Sequence, residues 1–464
     1  MPDQTLSADP VVPVSGKGKL WHTGTLSYTT GGLVILFCWL LWGDFAWQMK
    51  ERSIPSVVQV LFNRFNATDF EAGWLIGSLP QALGLILGPI IAYKSDRHRG
   101  PWGRRIPFLL LSTPLVVVSI LGLAFSPQMG AWVYRVGGMH APGPEGAILA
   151  FLGLFWMLFE VATIIANSVF NGLINDVVPQ EVIGRFFGIF RALSLIAGVA
   201  FNHWLLKEAE QHYLWIFVGL AALYGIGFAM VGFRVKEGDY PPPPPAGPSR
   251  GVVGFVQAAI GYFRECFGIP YYWWFYAFIA ISWMSFMPIN IYSIFFAKSL
   301  HMDLGDFGNC LALTFAISFA LSYPLGAMAD RFHPLPLGLC MQALYAVVTL
   351  LAGLYVTDTV TFGIALVAHG VVSGAWMTAT ASVAQRLLPR QQFAQFGSAC
   401  GMVGSICGIA IGPLTGYLLD HTQHVYRYTY LLACGFNLIA FFCGFVLYLK
   451  FKSLGGPQGY IAPE

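Results

Sequence analysis

The chain has 464 residues, of which 56% are hydrophobic and only 10% are charged. A soluble domain of average composition carries about 25% charged residues, so this composition excludes an ordinary soluble protein and predicts one that lies largely in a membrane. The Lys and Arg residues behind the net charge of +3 are dispersed along the chain, which gives no support to nucleic-acid binding.

Apolar stretches of about 20 residues recur along the whole chain, and each is long enough to cross roughly 30 Å of hydrocarbon. We therefore predict an all-α membrane protein with twelve transmembrane helices in two six-helix bundles. The predicted helices lie near residues 31–61, 71–93, 107–126, 147–177, 184–205, 213–233, 271–298, 306–329, 336–356, 360–387, 394–419 and 429–449.

The distribution of basic residues orients these helices. With the N-terminus inside, only seven of the 25 Lys and Arg residues fall on the outer side, so the positive-inside rule puts both termini in the cytoplasm. These seven are Lys50, Arg52, Arg64, Arg135, Lys207, Lys298 and Arg427.

A composition break after the sixth predicted helix divides the chain into two halves. Residues 234–270 form a predicted cytoplasmic linker, with the polyproline run Pro241–Pro245 and an amphipathic helix over 251–267. The other predicted units are a cytoplasmic N-terminal tail at 1–28, six-helix bundles at 29–233 and 271–450, and a cytoplasmic C-terminal tail at 451–464.

The sequence lacks the motifs of enzymes and metal sites. It contains no phosphate-binding Gly-rich loop, no nucleophile motif and no His/Cys cluster with metal-ligand spacing. We therefore expect no enzymatic activity, no catalytic residues, no cofactor and no metal site.

Two acidic residues lie near the middle of predicted helices, Asp44 in the first and Glu160 in the fourth. A carboxylate in hydrocarbon costs from roughly 2.5 kcal/mol upward, so it usually faces a bundle interior or a wet cavity. Two such residues favour a transporter that moves a cation together with its substrate.

The most specific motif is the charged loop Lys94–Arg105 (KSDRHRGPWGRR), and its Asp-Arg pair recurs after the eighth helix. The acid can cap a helix N-terminus, and the arginines can reach acids and helix C-termini nearby. We predict a conformational latch; alternatively, the arginines only fix the topology and contact anionic lipid headgroups. The latch residues are Asp96, Arg97, Arg104, Arg105, Asp330 and Arg331.

This loop, with the duplicated twelve-helix plan, resembles the signature of the major facilitator superfamily between its second and third helices. Gly88-Pro89, Ser95-Asp96-Arg97 and Gly103–Phe108 are similar to the sucrose-transporter branch, which is close to the glycoside–pentoside–hexuronide:cation symporters. The resemblance implies the major facilitator fold and a secondary active transporter that moves a sugar or glycoside by alternating access.

The resemblance also implies roles for the two membrane acids. Trp156–Ala162 is similar to the branch's fourth helix, where an acid carries the coupled proton, and this implies that role for Glu160. Gly43–Ala46 resembles the first helix of the cation symporters, where an aspartate helps to bind the cation. The second-helix acids of melibiose-type symporters are absent from Leu79–Pro89, which favours protons over sodium. The fourth-helix arginine of sucrose transporters is also absent, around Asn171.

Residues three or four apart share a helix face, and this spacing predicts polar stripes on the first, fourth, seventh and tenth helices. On the first helix, Asp44, Gln48 and Arg52 form such a stripe, unless the helix ends earlier and leaves residues 50–52 in an external loop. Asn, Gln, Thr and Trp suit a sugar, whose hydroxyls form hydrogen bonds and whose C–H faces stack on aromatic rings. The predicted substrate-binding residues are Gln48, Asn167, Asn171, Trp283, Asn290, His369 and Trp376.

The leading hypothesis is a proton-coupled sugar symporter of the inner (plasma) membrane, with Glu160 as the first proton carrier and Asp44 as the second. Its expected partners are a small-molecule sugar and the lipid bilayer, its coupled ion is H⁺, and it is expected to be a monomer. The alternatives are an uncoupled or export carrier for another small solute, and a membrane-embedded binding or assembly protein.

Overall fold

The computed structural model describes residues 19–137, 143–179, 181–240, 261–389 and 392–463, and most of these are helical. The helices are α1 (Thr30–Arg64), α2 (Asp69–Ala72), α3 (Leu79–Arg97), α4 (Ile106–Gly137), α5 (Pro144–Val177), α6 (Ile183–Ala200), α7 (Ala209–Arg234), α8 (Pro270–Ser299), α9 (Leu304–Phe332), α10 (Pro334–Tyr355), α11 (Thr359–Thr380), α12 (Val383–Leu387), α13 (Phe393–His421), α14 (Tyr428–Ser453) and α15 (Gly456–Gly459).

Eleven of the described segments are long and apolar enough to cross a membrane. One of them, Ala192–Arg234, holds two predicted helices, because α6 continues through a π turn and a short 3-10 turn into α7. The helical membrane class is therefore confirmed, whereas the count of twelve and the cytoplasmic side of the termini stay predictions.

A short β-hairpin precedes α1, and it is a small exception to the all-α expectation. Strand β1 (Leu20–Thr23) pairs antiparallel with β2 (Leu26–Thr29), and Gly24 and Thr25 make the turn between them. Gly24 has a φ of +54°, which glycine adopts without strain, and two-residue turns match the twist of paired strands. The predicted N-terminal tail is thus partly structured, while residues 1–18 lie outside the described residues.

The linker between the halves is described only in part. Residues 261–267 are helical, within the predicted amphipathic helix at 251–267. Residues 241–260, which include the polyproline run, lie outside the described residues.

Two sets of helices hold the N-terminal half (α1–α7) and the C-terminal half (α8–α14) together. α2 and α3 pack on α13, and α6 packs on α9. We call the end of the bundle that holds Asp69 and His424 the locked end, and the opposite end, with Lys94–Arg105, the loop end. The backbones of the halves touch at the locked end, where a Cβ on Gly412 would lie 2.1 Å from the carbonyl oxygen of Gly73.

A buried carboxylate joins the halves at the locked end. Asp69, only 1% exposed, accepts a hydrogen bond from the Tyr426 hydroxyl at 3.0 Å and lies 2.7 Å from His424 Nδ1. Asp420 accepts from the backbone N–H groups of Asp69 and Phe70, both at 3.1 Å, and so caps the start of α2. Asp69, Asp420 and His424 place three possible metal-ligand atoms within 4.8 Å of one another, but both carboxylates already accept the hydrogen bonds described above.

Candidate functional site

The course of α1 settles an alternative that the sequence leaves open. The helix runs without a break from Thr30 to Arg64, through Pro55. Residues 50–52 therefore lie inside the helix and not in an external loop. The helix continues because Ile54–Phe62 is apolar and six of its nine side chains are fully or almost fully buried, so packing outweighs the break that a proline favours.

Lys50 is fully buried within this helix. Its ammonium group donates to Thr163 Oγ1 at 3.1 Å and pairs with Glu51 Oε2 at 2.9 Å. The same ammonium lies 3.8 Å from the centroid of the Trp47 ring, a cation–π contact. Removing a charge from water is costly unless it is paired, so these contacts are what allow a lysine to stay at this depth.

A second polar chain on α1 starts at Asp44, which is fully buried. Asp44 Oδ1 accepts a hydrogen bond from Gln48 Nε2 at 3.0 Å, and Oδ2 has no partner among the described residues. Ser194 Oγ on α6 donates to Gln48 Oε1 at 2.8 Å and accepts from Arg52 Nη2 at 3.2 Å. The predicted stripe Asp44, Gln48 and Arg52 therefore does share one face, and that face is turned towards α6.

Glu160 lies partly buried on α5. It makes no hydrogen bond or ion pair within the described residues, and it experiences the charges of Lys50 and Glu51. Farther along the same helix, Asn171 Nδ2 donates to Asn167 Oδ1 at 2.7 Å. The predicted polar face of the fourth helix is thus continuous, from the contact with Lys50 towards the loop end.

Asn290 on α8 joins three helices. Its backbone carbonyl accepts from Gln59 Nε2 of α1 at 3.4 Å, and its side-chain Oδ1 lies 3.1 Å from His369 Nε2 on α11. The other ring nitrogen of His369, Nδ1, lies 2.9 Å from the Tyr345 hydroxyl. Because both ring nitrogens are used and the ring is buried, His369 orients Asn290.

A cavity of about 600 Å³ lies against the inner face of the C-terminal half. It is lined by three predicted residues, Trp283, Asn290 and Trp376, and also by Gln81 of the N-terminal half. The Trp376 ring is 2% exposed, and its indole N–H has no partner among the described residues. The four other predicted substrate residues, Gln48, Asn167, Asn171 and His369, are not among the residues that line this cavity.

Part of the predicted latch forms contacts within the N-terminal half. Arg104 pairs with Asp176 through two bonds, Nε to Oδ2 at 2.9 Å and Nη2 to Oδ1 at 2.5 Å. Arg105 Nη1 donates to Ser95 Oγ at 2.6 Å. Glu237 accepts the backbone N–H groups of Arg104 at 3.0 Å and Arg105 at 2.7 Å, at the start of α4.

The rest of the latch is less fully described. The side chains of Asp96 and Asp330 lie outside the described part of the chain. Arg97 ends α3, and the Arg331 guanidinium lies 5.3 Å from the centroid of the Phe332 ring. A latch that changes between conformations therefore stays a prediction.

Sequence reasoning missed Gln59 and Tyr345. Gln59 lies seven residues after Arg52 on α1, so the stripe that begins at Asp44 could have been extended to it. Tyr345 carries no comparable signal, because tyrosines are common in membrane proteins and nothing local distinguishes one that orients a histidine.

Relatives in sequence are transport proteins. The chain is similar to the sucrose transport protein SUC4 of Arabidopsis thaliana, with 27% identity over 139 residues that cover 28% of this chain and 26% of the relative. It is also similar to solute carrier family 45 member 4 of Mus musculus, with 26% identity over 183 residues, 37% of this chain and 22% of the relative. The aligned region thus spans about a quarter of the length of these relatives.

The sequence profile of the Major Facilitator Superfamily matches residues 279–457, which is most of the C-terminal half. The resemblance to the major facilitator superfamily is confirmed. The solved structures that this chain matches include a bacterial homologue of the human lysosomal transporter Spinster in an inward-facing, unoccupied conformation. The match has a TM-score of 0.64 and 15% identity, and it covers 93% of this chain and 98% of that one.

A second solved structure, a D-xylose–proton symporter, matches with a TM-score of 0.64 and 11% identity, and covers 90% of this chain and 97% of that chain. At such identities the likeness shows the fold, which is that of major facilitator transporters. The relatives, the profile and the fold are those of transporters and not of enzymes, as the sequence predicts.

Proposed function

We propose that the chain is a secondary active transporter that moves a sugar or glycoside by alternating access, driven by protons. The observation that carries the proposal is the division of the membrane interior. An aromatic, uncharged cavity lies in the C-terminal half, and buried charged groups lie in the N-terminal half. The sucrose transport proteins and the xylose–proton symporter among the similar proteins support the same function.

The chemistry of the cavity suits a sugar. Its volume of about 600 Å³ falls in the range of roughly 300–1,000 Å³ for small-molecule sites. The half-exposed Trp283 ring offers a surface on which sugar C–H groups stack, and it lies 6.4 Å from the Trp376 ring, centroid to centroid. The exposed Asn290 side chain, held in place by His369, offers hydrogen bonds to hydroxyl groups.

The orientation follows from the basic residues and the locked end. The positive-inside rule favours a cytoplasmic loop end, and the proposed membrane is the plasma (inner) membrane. In this orientation the contacts around Asp69 close the outer side, which is the arrangement of an inward-facing transporter. Alternation requires the locked end to open and the loop end to close around the cavity.

Glu160 is the proposed proton carrier, and Asp44 is the second candidate. Both are acids within membrane-spanning helices, where an unneutralised carboxylate is costly. Glu160 has no hydrogen-bonding partner within the described residues and lies near one cation, Lys50, whereas Asp44 is held by Gln48. Proton binding therefore neutralises Glu160, the one of the two acids that accepts no hydrogen bond within the described residues.

Transport in proteoliposomes with an internal pH-sensitive dye tests this function, with a panel of mono- and disaccharides outside. We expect one class of sugar to acidify the interior without any need for sodium. Glu160→Gln, which cannot carry the proton, should abolish this acidification and should still exchange labelled for unlabelled sugar.

The matched control is Glu145→Gln on the same helix, because Glu145 lies exposed in the first turn of α5. Its acidification should match that of the unmodified chain. Undiminished acidification by Glu160→Gln would refute the assignment of the proton carrier. No response of the unmodified chain to any sugar would refute sugar transport and favour another solute.

A further inference from the structure

The buried Lys50 has no role in the transport cycle outlined above. Most membrane lysines extend towards an interface, but this one is fully buried in the middle of α1. Its ion-pair partner Glu51 has a side chain that is 46% exposed. A carboxylate with that much exposure tolerates the loss of its partner, because water can replace it, whereas the buried ammonium cannot stay unpaired.

Glu160 is placed to be the other partner of this ammonium. Thr163, which accepts the hydrogen bond from Lys50 at 3.1 Å, lies one turn after Glu160 on the same face of α5. The Phe159 ring centroid lies 4.9 Å from the Lys50 nitrogen. The third neighbouring helix, α7, contributes the titratable Tyr224, whose ring centroid lies 5.8 Å away.

One ammonium therefore faces two carboxylates, and it can neutralise only one of them at a time. We propose that Lys50 is the internal counter-ion of the proton carrier: it pairs with Glu51 while Glu160 holds a proton, and it turns to Glu160 when the proton leaves. The flexible four-carbon stem of lysine allows this change of partner without movement of the backbone. The proposal deepens, and rests on, the proton-coupled function proposed above.

The consequence is that Lys50 makes proton release possible. Without Lys50, a deprotonated Glu160 loses the cation whose charge acts on it, so the carboxyl keeps its proton throughout the cycle. Lys50 is thus a positioning residue, which acts through Glu160 and not on the sugar.

Lys50→Met removes the charge and keeps the approximate length of the side chain. Because breaking a buried ion pair is strongly unfavourable, we expect sugar-triggered acidification to fall by at least about tenfold, while sugar exchange stays within about twofold of the unmodified chain. Lys50→Arg, which keeps the charge, should restore acidification. Glu51→Gln should preserve it, because Glu51 is the replaceable partner.

A sugar-free measurement tests the pairing itself. The apparent melting temperature of the purified chain should fall in Lys50→Met, and the addition of Glu160→Gln should restore much of it, so that the two effects are not additive. The addition of Glu145→Gln instead should leave the two effects additive.

The outcomes separate the inference from the function on which it rests. If the unmodified chain transports no sugar, the proposed function fails and the coupling role fails with it. If it transports sugar and Lys50→Met still acidifies the interior normally, the inference alone is wrong. Additive effects of Lys50→Met and Glu160→Gln on melting would overturn the pairing in either case.

Discussion

The two halves of the chain differ in what they place in the membrane interior. The N-terminal half buries charged groups there, among them Asp44 and Lys50, while the described Asp, Glu, Lys and Arg residues of the C-terminal half lie at helix ends or in loops. The corresponding interior of the C-terminal half is aromatic and uncharged, around Trp376 and Asn290. If the proposed function holds, the N-terminal half handles the proton and the C-terminal half binds the sugar.

The loop end shows the same contrast. In the N-terminal half, the loop before α4 is held by the Arg104–Asp176 ion pair and by Glu237. In the C-terminal half, the corresponding position is occupied by His333, which stacks on Phe451 at 4.6 Å between ring centroids and accepts the Leu335 N–H at 3.3 Å. One loop therefore depends on charge and the other on a buried neutral ring.

The largest expected effect comes from preventing the halves from closing on each other. Gly412→Val adds a Cβ that would lie 2.1 Å from the Gly73 carbonyl oxygen, and two methyl groups beyond it. Because this oxygen belongs to the backbone and cannot yield, we expect transport to be lost. Closure can be measured with Ser78→Cys in a chain whose native cysteines have been replaced. When Gly412→Val is added, the introduced cysteine should become reactive to an impermeant thiol reagent from outside.

Gly435→Val is the control for this closure, since nothing lies within 4 Å of a Cβ there, and it should transport normally. Normal transport by Gly412→Val would mean that the locked end does not close in the cycle. The two halves would then not move as separate bodies during transport.

An intermediate effect on transport is expected at the cavity of the C-terminal half. Trp376→Phe keeps an aromatic ring but removes part of the indole that lines the cavity. The lost part of the ring is apolar, and burial of one CH₂ group contributes about 0.8 kcal/mol. The half-saturating sugar concentration should therefore rise roughly two- to tenfold, as measured by exchange at increasing sugar concentration.

Trp204→Phe is the matched control, because Trp204 is exposed and does not line the cavity. It should leave the half-saturating concentration unchanged. If Trp376→Phe behaved in the same way, the sugar would not contact this indole.

Much of this arrangement could be predicted from local sequence, and some of it could not. Hydropathy predicted the apolar helices. Helical spacing together with the family resemblance selected Trp283, Asn290 and Trp376, which the structure brings to one cavity. The burial of Lys50 was not predicted, because the run of charges at 50–52 is also typical of a loop. The pairing of Asp69 with His424 joins positions 355 residues apart, and no local pattern records a contact of that kind.

The smallest expected effect is on the stability of the loop end of the C-terminal half. Burial and the nearby Arg386 guanidinium lower the pKa of His333 to about 4, from an ordinary value of about 6.5. As the pH falls, the unfolded chain binds this proton before the folded chain does, so stability should decrease progressively between about pH 6.5 and pH 4.

Thermal unfolding at pH 7.5 and pH 5 measures this loss. His333→Gln should reduce the difference in melting temperature between the two pH values. An unchanged difference would mean that other groups cause the acid sensitivity, and that the neutral histidine does not hold this loop.

The division of work between the halves is tested most directly by measuring proton uptake and sugar exchange side by side for Glu160→Gln and Trp376→Phe. The account predicts that Glu160→Gln loses proton uptake and keeps the half-saturating sugar concentration of exchange. It predicts that Trp376→Phe raises that concentration and keeps the ratio of protons to sugar. A changed ratio in Trp376→Phe, or a weakened sugar affinity with intact proton uptake in Glu160→Gln, would contradict it.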